Sequence, residues 1–228
     1  MYNFIIENKE LFKIFYALVI GFICMVIVIR ADKLFQLSFH QGIRYFRNAF
    51  FFYGIAFVVR YFFGAPLIYG IAGQTYLLLV NFIFEYFLIM AGFFLLYSLL
   101  WKKIEKAHET YYTSLLHPKI LVFYLMTFII VAIDYLWKTH SFMYLSQIIL
   151  FLIALIISYN NYATNGKQHR FLKFYFIAML LSFVAWIANT IAALYLKWDT
   201  TILVAVYSLN IIIFLLFLYG VVKVTKKW

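Results

Sequence analysis

Nine side chains in this sequence have the chemistry to recognise or move something, and each falls inside or at the edge of an apolar run. They are Arg60, Asn81, Glu85, Asp134, Gln147, Trp186, Asn189, Tyr207 and Asn210. Glu85 is the most informative, because it sits in the long apolar stretch from Gln74 to Lys103 with about ten residues to the nearest polar flank on either side. An ionised acid at that depth in a bilayer is costly and is retained beside a partner or on a pathway for a ligand or ion. Arg60 supplies a fixed cation, Asp134 a second carboxylate, and the amides and Tyr207 can both donate and accept hydrogen bonds.

Helical spacing brings these groups onto shared faces. Gln74, Leu78, Asn81, Glu85 and Gly92 follow a three-to-four-residue repeat, as do Ser182, Trp186, Asn189 and Ala193, then Leu203, Tyr207, Asn210 and Phe214, and also Tyr53, Ala56 and Arg60. Lipid offers such faces no hydrogen-bond partners, so they are expected to converge inside a bundle, at one level in the outer leaflet. Two readings stand side by side. In one, Arg60 pairs with Glu85 or Asp134 and the amides tie helices together, each contact contributing about 0.6–2 kcal/mol. In the other, the same groups line a polar cavity that takes a small molecule or ion from outside.

The elements that position them are transmembrane helices. The chain has 228 residues, of which 67% are hydrophobic and only 12% charged, with a mean hydropathy of +0.95, a composition that needs lipid as solvent. Seven apolar runs, at about 13–30, 46–66, 74–101, 119–138, 142–163, 171–196 and 201–223, each approach the ~20 residues that cross a ~30 Å hydrocarbon core. The expected fold is all-α, one seven-helix transmembrane domain over residues 1–228. The two prolines, Pro66 and Pro118, sit at loop or helix-start positions and interrupt no run, so no broken helix is expected. Ala17, Gly21 and Cys24 form a small-residue stripe on the first run, read as a close contact with another helix of the same bundle.

Charge sets the orientation. Fourteen of the 19 Lys and Arg fall in one set of connections, which includes the C-terminus, and five in the other, so the N-terminus is expected outside and the C-terminus inside. The formal net charge of +11 is thus a topology signal, and nucleic acid is not an expected partner. The longest loop, Lys102 to Lys119, reads as a solvated helix end, an interfacial segment on anionic lipid, or a docking surface for a signalling partner in the cytoplasm or membrane. The expected location is the cell membrane.

Several chemistries find no support. His40, His108, His117, His140 and His169 all lie in loops or at span ends, which argues against bis-histidine haem and intramembrane zinc sites. Asp134 is the one aspartate at depth, so paired aspartates for proteolysis are missing, and Ser182 and Ser208 have no histidine at their level. No catalytic residues, metal or cofactor are expected.

Seven spans with an external N-terminus resemble the microbial rhodopsin layout, with a local echo in Glu85-Tyr86, Trp186, and Tyr207 with Asn210. The resemblance would imply a lysine one turn beyond Asn210, but that position is Phe214, and a covalent retinal is not expected. The segment GIRYFRNAFFFYGIAFVVRY, from Gly42 to Tyr61, resembles the basic turn and aromatic second span of prokaryotic seven-helix sensory domains. The expectation is therefore a receptor-like or sensory membrane protein with a small-molecule cavity. The alternatives are a proton- or cation-coupled carrier using Glu85, and a non-catalytic subunit or scaffold.

Overall fold

A computed structural model describes residues 9–64, 73–104, 118–165, 170–196 and 200–225. Within them the chain is all helical: α1 (Lys9–Ser38), α2 (Gln41–Val58, continued by a π-helical turn over Val59–Phe63), α3 (Gln74–Ile104), α4 (Pro118–Trp137), α5 (Ser141–Asn165), α6 (Arg170–Leu194) and α7 (Thr200–Thr225). Pro66, His108, His117, His169 and most of the basic loop between α3 and α4 lie outside the described residues.

Six of the seven helices are long and apolar enough to cross a membrane. The exception is α2, whose first turns carry Gln41, Arg44, Arg47 and Asn48. Lipid is also required by what the bundle turns outward. Along α1 the side chains of Phe15, Leu18, Phe22, Met25 and Ile29 form an exposed stripe at helical spacing, and on α4 Leu121, Val122, Leu125, Met126, Phe128 and Ile129 are exposed. Water would not tolerate such a surface, so the chain is an integral membrane protein.

Each helix covers its apolar run, and several continue past it. α1 runs eight residues beyond Arg30, because Ala31 and Leu34 remain buried and keep the extension attached to the bundle. Beside it Arg47 pairs with Asp32, which also accepts a hydrogen bond from Gln36 at 3.0 Å. α2 begins at Gln41, earlier than its apolar run, after a tight reversal through Phe39 in the left-handed region (φ 51°).

The packing order gives the architecture. α1, α2, α3, α5, α6 and α7 contact one another in that cyclic order, and α7 closes back on α1. α4 stands outside this ring, against α3 and α5. Close approach uses small residues. A Cβ added to Gly54 would lie 3.2 Å from the Cβ of Cys24, and one on Gly21 3.5 Å from Val58, so the small-residue stripe of α1 meets α2 within the bundle. At the basic end Gly42 accommodates the indole of Trp101, which a Cβ would meet at 2.6 Å.

Candidate functional site

The two buried carboxylates are engaged by the α4–α5 turn. Asp134, in the last turn of α4, is 1% exposed. It accepts hydrogen bonds from the Thr139 hydroxyl (2.9 Å), the Phe142 amide (3.1 Å) and the Met143 amide (2.7 Å). Four amides at a helix start have no partner within the helix, and a carboxylate there also meets the positive end of the helix dipole. Asp134 is therefore the cap of α5, delivered from the preceding helix.

Glu85 pairs with the imidazole of His140, the residue just before α5. The expected ion pairs of Arg60 with Glu85 or Asp134 do not form. His140 was read from the sequence only as a loop histidine, since nothing in its spacing shows that the tip of a helical hairpin reaches Glu85. The depth of Glu85 changes accordingly. α3 and α5 run in the same direction, with Glu85 beside His140 and Gly92 against Gln147, so Glu85 lies level with the start of α5. The first eleven residues of α3, ~16 Å of helix, project past that level. The acid thus stands near one end of the α4–α5 hairpin and not at the middle of the bundle.

Gln147 is fully buried at the α3–α5 contact, where its amide nitrogen donates to the Leu88 carbonyl at 3.2 Å and its amide oxygen has no hydrogen-bond partner. Asn81 is half-buried on α3. Neither these two nor Glu85 and Asp134 line the central cavity described next.

The other five of the nine do meet. Arg60, Trp186, Asn189, Tyr207 and Asn210 line one cavity of about 90 Å³ at the centre of the six-helix ring. Its walls come from α1, α2, α3, α5, α6 and α7, and none of its lining residues belongs to α4. The polar end holds Arg60, Tyr61, Tyr144, Asn189 and Tyr207, and the opposite end is closed by Phe50, Leu95, Phe151, Phe214 and Phe217. On α3 the lining runs from Phe84 to Leu95, eleven residues or ~16 Å along the axis. The cavity is therefore a narrow shaft with a polar top and an apolar floor.

Arg60 belongs to the π-helical turn Val59–Phe63, in which the Gly64 amide donates to the Val59 carbonyl, five residues back, at 3.3 Å. The sequence offered no proline to mark this departure from the α-helix. The wider turn puts Tyr53, Phe57, Arg60 and Tyr61 on the cavity wall together, and such turns recur at functional sites. The guanidinium lies over the Phe84 ring, 4.4 Å from its centroid, an attraction of about 0.5–2 kcal/mol. It is within electrostatic reach of Tyr61, Tyr144, Tyr207 and Glu85, yet no described carboxylate is within ion-pair distance of it.

Tyr16, Tyr61 and Tyr144 also line the cavity, and spacing alone did not single them out. Tyr16 stacks on Tyr207 with ring centroids 4.0 Å apart, and Tyr61 packs edge-on against both, at 5.5 and 5.9 Å. With 20 Tyr and 28 Phe in the chain, no aromatic stands out in the sequence. The Tyr16 hydroxyl lies beside the side chain of Asn210, whereas the hydroxyl of Tyr53 is buried and makes no hydrogen bond. Comparison with protein-family models, curated proteins and solved structures finds no match, so function has to be read from these residues.

Proposed function

We propose that this protein is a receptor-like seven-helix membrane protein of the cell membrane, in which a small molecule enters the six-helix ring and biases the packing of its helices. All seven helices cross the bilayer in this reading, with the N-terminus outside and the basic connections in the cytoplasm. The polar top of the shaft then faces outward. The observation that carries the proposal is the cavity itself: six helices contribute to it, so an occupant touches every wall and can favour one arrangement of the ring over another. The cytoplasmic ends that would move carry the basic loops, where a signalling partner would dock.

Accessibility tests the reading. In a Cys24→Ala background, Asn189→Cys and Asn210→Cys are expected to react with a small membrane-impermeant thiosulfonate added outside, and less so once a ligand is bound. Silence at both positions in intact cells would remove the external pocket. Cys24 itself, 1% exposed, is expected to be inert.

The carrier reading keeps one specific support, the buried Glu85 joined to a half-exposed His140 at the end of the hairpin, a pair able to pass a proton between bundle and solvent. Uptake into proteoliposomes that vanishes in Glu85→Gln while the cysteine pattern persists would favour transport over sensing.

A further inference from the structure

The geometry points to a small aliphatic monocarboxylate as the occupant of the shaft. This inference rests on the cavity reading above and goes on to name the ligand's chemistry.

The lining chemistry is one-sided. Arg60 is a permanent cation with a planar fork of donors that matches a carboxylate. Around it stand groups that can all donate, the hydroxyls of Tyr61, Tyr144 and Tyr207, the amides of Asn189 and Asn210, and the Trp186 indole. Among the described residues no Asp or Glu lines the cavity, so a cationic ligand would meet Arg60 with nothing there to neutralise it. Glu85 is turned to His140 and Asp134 is spent on the start of α5, which leaves neither free to pair with the guanidinium.

One hydroxyl awaits a partner. Tyr53 is 5% exposed, lines the same cavity and makes no hydrogen bond, although a buried hydroxyl without one is costly. An oxyanion in the shaft supplies the missing acceptor. Below the polar groups the floor of Phe50, Leu95, Phe151, Phe214 and Phe217 is suited to a short alkyl group.

Volume limits the size. A dry engineered cavity of ~150 Å³ is filled by benzene, so about 90 Å³ has room for roughly four heavy atoms. Acetate fits that limit, propionate stands at its edge, and a drug-sized ligand, which needs a pocket of about 300 Å³ or more, does not.

The test compares propionate, propionamide and propylammonium, which have the same three-carbon chain and differ in the charge of the head group, by ligand-observed NMR on the purified protein in nanodiscs. Propionate is expected to bind saturably and to be displaced by acetate. Propionamide should bind at least tenfold more weakly and propylammonium not at all. Arg60→Gln should weaken propionate at least tenfold, with Arg60→Lys in between. Tyr53→Phe should weaken it severalfold while leaving the melting temperature unchanged or raised, which a merely structural role for that hydroxyl would not produce. No propionate binding, equal binding of propionamide, or an undiminished affinity in folded Arg60→Gln would overturn the carboxylate assignment. If Arg60→Gln does not fold, the three probes on the wild-type protein decide. Thiol labelling at positions 189 and 210 separates the two levels: labelling with no preference for the anion removes the ligand class alone, and silence there removes the cavity reading with it.

Discussion

Asp134 shows how one buried acid is accommodated in an apolar bundle. Its two oxygens take up a hydroxyl and two amide protons, and the backbone carbonyl of the same residue accepts the Thr139 amide at 3.0 Å, so the whole α4–α5 reversal is tied to it. The turn also holds Lys138 in the left-handed region (φ 53°), which it can do only because these bonds fix the residues on either side. Asp134→Ala leaves those amides unpaired in the interior and is expected to destabilise the protein by about 2–4 kcal/mol, read from unfolding in mixed micelles. Asp134→Asn, which keeps an acceptor, should cost less than half of that. Glu85 is a different case, because its partner is a half-exposed histidine and the pair can be opened from one end of the hairpin. Leu88, one turn along, is a plain core residue at 2% exposure, so Glu85→Gln should fold more nearly like wild type than Leu88→Ala, which loses about 2–5 kcal/mol.

At the scale of elements, α2 decides the site. A regular helix through Val59–Phe63 would rotate Arg60 and Tyr61 relative to Tyr53 and Phe57, whereas the π-helical turn lets all four face the shaft. Gly64 closes that turn, and a Cβ there would stand 2.2 Å from the Arg60 carbonyl. Gly64→Ala is therefore expected to force the turn to rewind, at about 1–3 kcal/mol, and to move the guanidinium off Phe84. Unfolding measures the first effect, and reduced propionate affinity at unchanged expression measures the second. α3 contributes through its length. Its 31 residues reach beyond the start of α5, and along them Phe84 lies at the mouth of the shaft while Leu95 forms part of the floor.

Across the whole molecule, the ring of six with α4 outside explains why the nine polar residues separate into two groups. Asp134 stands on the helix that does not face the cavity, Glu85 and Gln147 occupy the contact between α3 and α5 and its end, Asn81 lies on α3 off the cavity wall, and the other five meet within the ring. The orientation proposed for that ring rests on the basic connections and is open to a direct check. A cysteine replacing Lys138 in the Cys24→Ala protein should react with an impermeant thiol reagent on intact cells, and one replacing Lys223 only after permeabilisation. The reverse pattern would put the polar end of the shaft in the cytoplasm.

The membrane environment and the helical class were set by local properties of the sequence, because a run of about 20 apolar residues in lipid can satisfy its backbone only as a helix. The same local rule marked Arg60, Trp186, Asn189, Tyr207 and Asn210, since polar groups at helical spacing turn away from lipid. Which helices share a wall is not a local property. It depends on how side chains such as Gly54, Cys24 and Gly92 let helices approach, and that packing sent α4 outside the ring and brought α1 into it. The partner of Glu85, the capping role of Asp134 and the unpaired Tyr53 hydroxyl were decided only there. Each depends on the folded chain bringing groups of different helices within hydrogen-bond reach, or keeping them out of it.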